Sequence, residues 1–431
     1  MHFLFFDSKG SNIPYGICRE IRTLLFSKLY RAGRIQRTGS IQPVRAYRRP
    51  PEIPSRALAL GLGSYLWVGK RHLRPLVTST FHRNVVNFMA MDKSQLLKQI
   101  EDARESRVIS YLTSDRQGPF NARIAPDIIP LVSKQLQKIG RVKNIDLFLY
   151  SGGGDTMVPW RLVSMIREYC EKFSVLLPYK AHSAATMIAL GADEIVMSDL
   201  SELSPIDPST ANVFNPADPA NAQNRLPISV EDVMAYFDLA KNKFGIKSDE
   251  ELSRIFVKFV ESNPQIHPLA LGNVNRMHNL IRILAKRLLK SHKVQMEEEV
   301  VDKIVDYFTE KLYSHQYFIG RKEAREDLGV STVVDADTAL ANMMIALYQK
   351  YDSDLEFGQM WNAETELGPN AVQNKKVYKI AYIESRELSN DFEFEVEYRK
   401  QQVNMVQQTP QGPMQVQQEQ VGFKILRQGW Q

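Results

Sequence analysis

The chain has 431 residues, of which 44% are hydrophobic and 24% charged, and it contains only two cysteines. At about 150 residues per domain, this length predicts two to three structural units. Cys18 and Cys170 lie far apart, which excludes a disulfide framework, and no Cys/His spacing is typical of zinc. The composition also excludes collagen, coiled coil and wholesale disorder, so we expect a reduced globular protein with no metal and no cofactor.

The net charge of +6 comes entirely from the first part of the chain. Residues 1–90 contain 15 Lys and Arg against 3 Asp and Glu, whereas residues 91–431 contain 40 against 46. The basic pI therefore does not indicate nucleic-acid binding by the main body. We interpret 1–90 as a basic, disordered leader, either a targeting segment or a stretch preceding a working start at Met91. Its apolar run, Ala57 to Gly69, is shorter than the 18 to 20 residues that span a bilayer.

From residue 91 onward the hydrophobic pattern alternates between strands and helices. Strands are predicted at Arg107–Thr113, Asn144–Tyr150, Ser174–Ala181 and Glu194–Met197, with helices at Ile124–Gly140, Val158–Phe173 and His182–Ala192. Such alternation with short connections predicts an α/β core with a mostly parallel sheet. We assign this core to residues 91–290.

The remainder is predicted to be mainly helical, ending in strands and a flexible tail. We expect a helical extension over 291–400 that includes a hairpin of Val377–Ile383 with Phe392–Tyr398. Residues 401–431 begin with a stretch, Gln401 to Gln420, that holds nine glutamines, and this composition predicts a solvated, flexible tail.

Two turns follow consecutive core strands, Ser151-Gly-Gly-Gly-Asp155 and Ala181-His-Ser-Ala184. Because parallel strands end at one edge of the sheet, these turns should face each other. A glycine-rich turn exposes N–H groups that hold a phosphate or an oxyanion, although it also simply permits a tight bend. No nucleotide-binding glycine motif is present. Ser183 opens a helix of small residues, where serine is a nucleophile candidate but also a common helix cap.

These residues carry a resemblance to a known superfamily. Asp146-Leu-Phe-Leu-Tyr-Ser-Gly-Gly-Gly-Asp155, followed by His182-Ser-Ala-Ala-Thr-Met-Ile-Ala-Leu-Gly-Ala-Asp-Glu-Ile-Val-Met197, resembles the Clp protease/crotonase superfamily. Within it the sequence is most similar to the SppA-like serine dehydrogenase proteinase family. The resemblance implies a core built as a ββα spiral and a homo-oligomer that acts on a peptide or protein.

Carried onto this sequence, the resemblance implies specific roles. Ser183 would be the nucleophile, the N–H groups of Gly153 and Ala184 the oxyanion hole, and Gly154 the residue that keeps the turn open. Apart from the resemblance, Asp155 and Asp207 are candidates to orient a base or to bind the substrate backbone. The segment Ser204–Pro208, where Clp proteases place their histidine base, contains no histidine. This departure favours a Ser-Lys dyad.

The lysine of the dyad is then chosen by its expected burial. A lysine acts as a base at neutral pH only if burial lowers its pKa by several units. Lys241 shares a helical stripe with Met234, Phe237 and Phe244, which predicts apolar neighbours, although an exposed ammonium on an apolar stem has the same pattern. Lys243 points about 200° away. His182 adjoins the serine, but neighbouring side chains at a strand end point in opposite directions.

The function predicted from the sequence is therefore a serine peptidase with a Ser-Lys dyad, cytoplasmic and with membrane association left open. A non-catalytic oligomeric scaffold or membrane adaptor of the same fold is the alternative. A crotonase-type acyl-CoA enzyme would need a carboxylate at the reacting carbon and an adenine pocket, and the sequence exhibits neither.

Overall fold

In a computed structural model of the chain, residues 88 and 90–431 are described, with short gaps at 207–208, 211, 219–220, 227, 263–266, 313, 315–316 and 410–411. Of the leader, residues 1–87 and 89 thus lie outside the described residues, as does Asp207. Among the helices that are described, none is both long and apolar enough to cross a membrane.

The first half of the described chain is an alternation of helices and strands. Its elements are α1 (Lys93–Arg104), β1 (Arg107–Thr113), α2 (Ile128–Ile139), β2 (Val142–Tyr150), α3 (Val158–Arg167), β3 (Cys170–Leu177), β4 (Lys180–Ala181), α4 (Ala184–Leu190), β5 (Glu194–Met197) and β6 (Glu202–Leu203). The predictions for β1 and β5 are confirmed to the residue. The helix predicted over Val158–Phe173 is too long, because its last residues already belong to β3.

A looser region of short strands leads into a helical part. The elements are β7 (Ser209–Thr210), β8 (Ala217–Asp218), β9 (Asn221–Arg225), β10 (Ile228–Ser229), α5 (Val230–Asp238), a π-helical turn (Leu239–Lys243), α6 (Asp249–Ser262), α7 (Pro268–Leu289), α8 (Glu298–Asp306), a second π-helical turn (Tyr307–Lys311), β11 (Ile319–Gly320), a third (Glu323–Asp327), β12 (Val333–Asp335), α9 (Thr338–Leu355) and α10 (Ala363–Leu367).

The C-terminal part is rich in strands, and the prediction of a helical extension there is wrong. Three long strands complete the chain: β13 (Gln373–Glu384), β14 (Ser389–Thr409) and β15 (Gly412–Trp430). The expected hairpin exists but is much longer than predicted. The glutamine-rich tail forms strand rather than flexible chain, because β14 and β15 pair from Phe392 with Trp430 to Thr409 with Gly412.

One eight-stranded sheet organises the molecule, in the order β12-β5-β3-β2-β1-β13-β14-β15. The strands from β12 to β1 are parallel, and those from β13 onward are antiparallel. Alternate residues of the central strands point to opposite faces. Leu147 and Leu149 enter the core under α2, α3, α4 and α7, whereas Phe148 and Tyr150 enter the core under α1 and α9. The α/β class predicted from the sequence is confirmed.

Candidate active site

The two turns expected to face each other are joined directly. Ser151, after β2, pairs in parallel fashion with Ala181, at the end of β4. The Ser151 N–H donates to the Lys180 carbonyl at 3.1 Å, and the His182 N–H donates to the Ser151 carbonyl at 3.0 Å. These backbone bonds fix the distance between the glycine run and Ser183.

Ser183 has a strained backbone and a hydroxyl that does not cap the helix after it. Its φ of 51° and ψ of −112° lie where non-glycine residues are rare, at a cost of about 1–3 kcal/mol. The side chain makes no capping hydrogen bond to α4. The ordinary reading of this serine as a helix cap is therefore excluded, and a strained backbone of this kind is typical of functional positions.

Buried hydroxyl groups hold Ser183 in this conformation. The Ser183 N–H donates to Ser204 Oγ at 2.8 Å. The Ser204 N–H in turn donates to Thr186 Oγ1 at 3.1 Å, and Thr186 Oγ1 donates to the Ala181 carbonyl at 2.7 Å. Ser204 and Thr186 are both fully buried. The sequence analysis of Ser204–Pro208 concerned its missing histidine and Asp207, and it overlooked this supporting role of Ser204.

The glycine run lies between Ser183 and the backbone of Ile124. A Cβ on Gly153, whose φ is 101°, would be 2.9 Å from the Cβ of Ser183 and 2.8 Å from the carbonyl oxygen of His182. A Cβ on Gly154 would be 2.2 Å from the carbonyl oxygen of Ile124. Only glycine allows both approaches. Ile124, which the sequence analysis did not single out, thus holds the outer side of the turn.

The N–H of Gly153 is already hydrogen-bonded within the turn. It donates to Ser151 Oγ at 3.1 Å, and Ser151 Oγ also accepts from Thr113 Oγ1 at 2.7 Å. Thr113 and Ser151 are buried at the ends of β1 and β2. The nitrogen of Ala184 lies 3.5 Å from where a Gly153 Cβ would be, so the two proposed oxyanion donors are neighbours. A serine directly before three glycines was the sequence signal for this bond.

Asp155 has a local structural role. Its carboxylate accepts the N–H of Met157 at 2.8 Å and so closes the first turn before α3, while the residue itself is exposed. The backbone N–H of Asp155 donates to the Ile124 carbonyl at 2.8 Å. Asp155 thus borders the glycine turn.

Lys241 is exposed in the single chain, contrary to the apolar environment that the helical stripe predicted. It lies in the π-helical turn Leu239–Lys243, and its stripe neighbours Met234 and Phe244 are 59% and 71% exposed. With the residues that the structure describes, Lys241 makes no hydrogen bond or ion pair. The predicted stripe assumed a continuous α-helix, whereas the chain becomes π-helical at Leu239 and buries Ala240 instead of Lys241.

His182 is engaged away from the serine. Its Nε2 lies 3.0 Å from Glu202 Oε1, and the side chain is half-buried. This agrees with the expectation that His182 forms a hydrogen bond rather than serving as the base.

A comparison with known families agrees with this geometry. Residues 80–241 match the model of a family described as ClpP-like SDH-type serine proteinase. That segment contains the glycine run, Ser183 and Lys241. Over these residues the chain is therefore similar to the ClpP-like serine proteinases.

Individual relatives are distant. Uncharacterized protein MJ0137 of Methanocaldococcus jannaschii is 24% identical over 191 residues, which cover 39% of this chain and 67% of that protein. A second protein of that organism, MJ1495, also described as uncharacterized, is 26% identical over 129 residues and covers 29% of this chain and 44% of its own length. The aligned region thus spans less than half of this chain in either case.

One solved structure similar to this chain is the membrane-bound stomatin-specific protease 1510-N in complex with a substrate peptide. It has 15% sequence identity and a TM-score of 0.30, covering 53% of this chain and 76% of that one.

The contact between Gly154 and Ile124 yields a direct test of the turn. Gly154→Ala places a methyl group against the Ile124 backbone, and we expect it to lower the free energy of unfolding by about 2–4 kcal/mol. Gly152→Ala is the matched control, because a Cβ there meets nothing within 4 Å. Urea denaturation of both variants measures the difference. Equal stability of the two variants would contradict the packing described here.

The hydrogen-bonded hydroxyl groups of Thr113 and Ser151 yield a second test. Ser151→Ala leaves the Gly153 N–H and the Thr113 hydroxyl buried without their acceptor, which should cost about 1–3 kcal/mol. Adding Thr113→Val removes one of those stranded groups, so the double variant should lose less stability than the sum of the single variants. Thermal or urea denaturation of all four proteins measures the coupling, and strict additivity would show that the two hydroxyl groups do not interact.

Proposed function

We propose that this protein is a serine peptidase in which Ser183 attacks the peptide carbonyl. The observation that carries the proposal is the strained backbone of Ser183, whose side chain is not used as a cap and which lies against Gly153, with the Ala184 nitrogen close to the same glycine. Because the Ser183 hydroxyl is not used to cap the following helix, it is available for chemistry. The family match over 80–241 supports the same class of reaction.

In the proposed reaction, Ser183 Oγ forms a bond to the carbonyl carbon of a peptide and gives up its proton to a neutral lysine amine. The amine then delivers the proton to the leaving nitrogen, and water hydrolyses the acyl-enzyme. The developing oxyanion is held by the N–H groups of Gly153 and Ala184. For this the Gly153 N–H exchanges its bond to Ser151 Oγ for one to the oxyanion, which replaces a neutral acceptor by a charged and stronger one.

The residues around the turn complete the proposed site. Gly154 leaves the approach to Gly153 free of a side chain, and the exposed Asp155 borders the place where a peptide backbone enters. Asp207 stays a prediction as a substrate-binding residue. We assign the base to Lys241, which needs a covering surface to become neutral at physiological pH.

A non-catalytic scaffold of the same fold is the second candidate. The exposure of Lys241 favours it, because the described part of the single chain supplies no burial for a neutral lysine. The Gly153 N–H also favours the scaffold, because it is already hydrogen-bonded to Ser151 Oγ. Reactivity of the serine separates the two candidates.

A fluorophosphonate probe tests the nucleophile. We expect the full-length protein to be labelled at Ser183, because the probe phosphonylates an activated serine hydroxyl with loss of fluoride, and we expect Ser183→Ala to lose the label. Ser133→Ala, on α2 away from the turns, is the control and should label normally. Mass spectrometry of the labelled peptide identifies the site. A folded protein that takes no label would favour the scaffold.

Two lysines of one π-helical turn allow a matched test of the base. Both Lys241 and Lys243 are exposed in the single chain, so replacing either should leave the fold intact. Lys241→Ala should slow labelling by about 10²- to 10⁴-fold, whereas Lys243→Ala should retain nearly the original rate. The pseudo-first-order rate of probe labelling is the measurement. Loss of labelling in Lys243→Ala or His182→Ala, with Lys241→Ala unaffected, would reassign the base.

A further inference from the structure

The last two strands extend beyond the sheet as an arm. The pairing of β13 with β14 ends at Arg399, but β14 and β15 stay paired for ten further residue pairs, from Lys400 with Val421 to Thr409 with Gly412. We call residues 400–421 the arm. At about 3.4 Å per residue it is about 34 Å long. At its base the arm is packed, because Val421 lies against the cluster around Phe120 and the Lys400 N–H donates to the Val372 carbonyl at 3.1 Å. An isolated two-stranded ribbon is only marginally stable in water, so the arm beyond that base calls for a covering surface.

The register gives the arm a face with three described apolar residues and no charge, which we call the apolar face, and an opposite polar face. Val403 is paired with Gln418, and since alternate residues share a face, Val416 and Met414 lie on the same side as Val403. Gln401, Gln418 and Gln420 share this side with them. Met414 is 56% exposed. The opposite face carries amides and one ion pair, Lys400 with Glu419 at 3.1 Å: its described residues include Gln402, Asn404, Gln415 and Gln417.

The charge of the arm limits the choice of partner. Lys400 and Glu419 neutralise each other, and the apolar face carries no charge among its described residues. An arm with no free cation does not suit nucleic acid or an anionic lipid surface. It suits an uncharged apolar surface.

Such a surface is present on the chain itself, in α5, the π-helical turn and α6. Residues 230–262 form what we call the aromatic hairpin, whose helices contact each other through Tyr236 and Phe259, with ring centroids 4.7 Å apart, and through Phe237 and Phe256, 5.7 Å apart. The helix α6 has fourteen residues and buries none of them. Its apolar residues are Leu252, Ile255, Phe256, Val257, Phe259 and Val260.

The aromatic hairpin exposes several large apolar side chains in the single chain. Phe256 is 47% exposed, Val257 50% and Leu239 45%. Contiguous apolar surface of this kind marks an interaction site. Because Met414 on the arm and these residues on the hairpin are all exposed in one chain, the two surfaces do not cover each other within that chain.

We propose that the arm of one copy packs, through the face that carries Val403, Met414 and Val416, on the aromatic hairpin of a second copy. In a two-fold dimer the exchange is reciprocal, so each copy gives an arm and receives one. None of the contacts proposed here involves Ser183 or the oxyanion donors proposed for it.

The surface area that the arm can bury agrees with a reciprocal exchange between two copies and not with a single contact. An arm about 34 Å long and about 10 Å wide covers about 340 Å² of a partner. One such contact buries about 680 Å² on both sides together, which is typical of weak contacts, whereas two bury about 1,400 Å², within the range of stable protein interfaces.

Sedimentation velocity of the full chain over a range of concentrations tests the proposal. We expect the double variant V403D/V416D to weaken the dimer about 100-fold or more, because it places carboxylates in the apolar contact of both arms. N404D/Q415D is the matched control: the same charge is added at the same diagonal spacing, but on the polar face, and the dimer should persist. Circular dichroism verifies that both variants fold.

Disulfide trapping tests which surfaces meet. With Cys18 and Cys170 replaced by serine, a chain carrying Val416→Cys is mixed with a chain carrying Phe256→Cys under mild oxidation. A covalent dimer of the two different chains is the expected product, and Val416→Cys mixed with Val294→Cys, an exposed residue outside the aromatic hairpin, should not crosslink.

Three results would overturn the proposal. The wild-type protein could be monomeric at high concentration, V403D/V416D could dimerise as tightly as its control, or a chain carrying both Val416→Cys and Phe256→Cys could close only within itself. The last result would assign the arm to its own aromatic hairpin.

Discussion

The close approach of three backbone segments at the glycine run is the constraint on which the site depends. Ile124 on one side and His182–Ser183 on the other leave no room for a Cβ at Gly154 or Gly153. The segments are held together by backbone hydrogen bonds, which a change of side chain leaves in place. The position of Ser183 relative to the proposed oxyanion donors is therefore set by the sheet and by the absence of two methyl groups.

This constraint connects the site to the end of the chain. Ile124 belongs to a loop whose Phe120 is fully buried among C-terminal residues, stacked on Tyr378 with ring centroids 4.8 Å apart. The Ser114 N–H, at the start of that loop, donates to the Ile380 carbonyl at 2.7 Å. The antiparallel strands thus support the loop that holds Ile124 against the glycine turn, although these strands lie more than 200 residues away in sequence.

Local patterns predicted the core strands and the two turns because those features are determined by neighbouring residues. Continuous apolar runs defined β1, β2 and β5, and the glycines marked the bend after β2. What failed depends on distant contacts: Gln401–Gln420 has the composition of a solvated tail, but pairing between β14 and β15 makes it strand. The hydroxyl groups of Thr113, Ser151 and Ser204 were missed for the same reason, since their partners are set by the fold.

Lys241 shows what a helical sequence pattern can and cannot predict. The 3.6-residue period predicted a stripe with Met234, Phe237 and Phe244, but the π-helical turn Leu239–Lys243 interrupts that period, and Ala240 rather than Lys241 is buried there. Lys241 lies within the aromatic hairpin, so an arm from a second copy resting on that hairpin would add apolar surface beside the ammonium. Desolvation favours the neutral amine, because the charged form loses more hydration. Assembly and the proposed chemistry would then be coupled through one surface, and a single chain with an exposed Lys241 would hold a positioned serine without an active base.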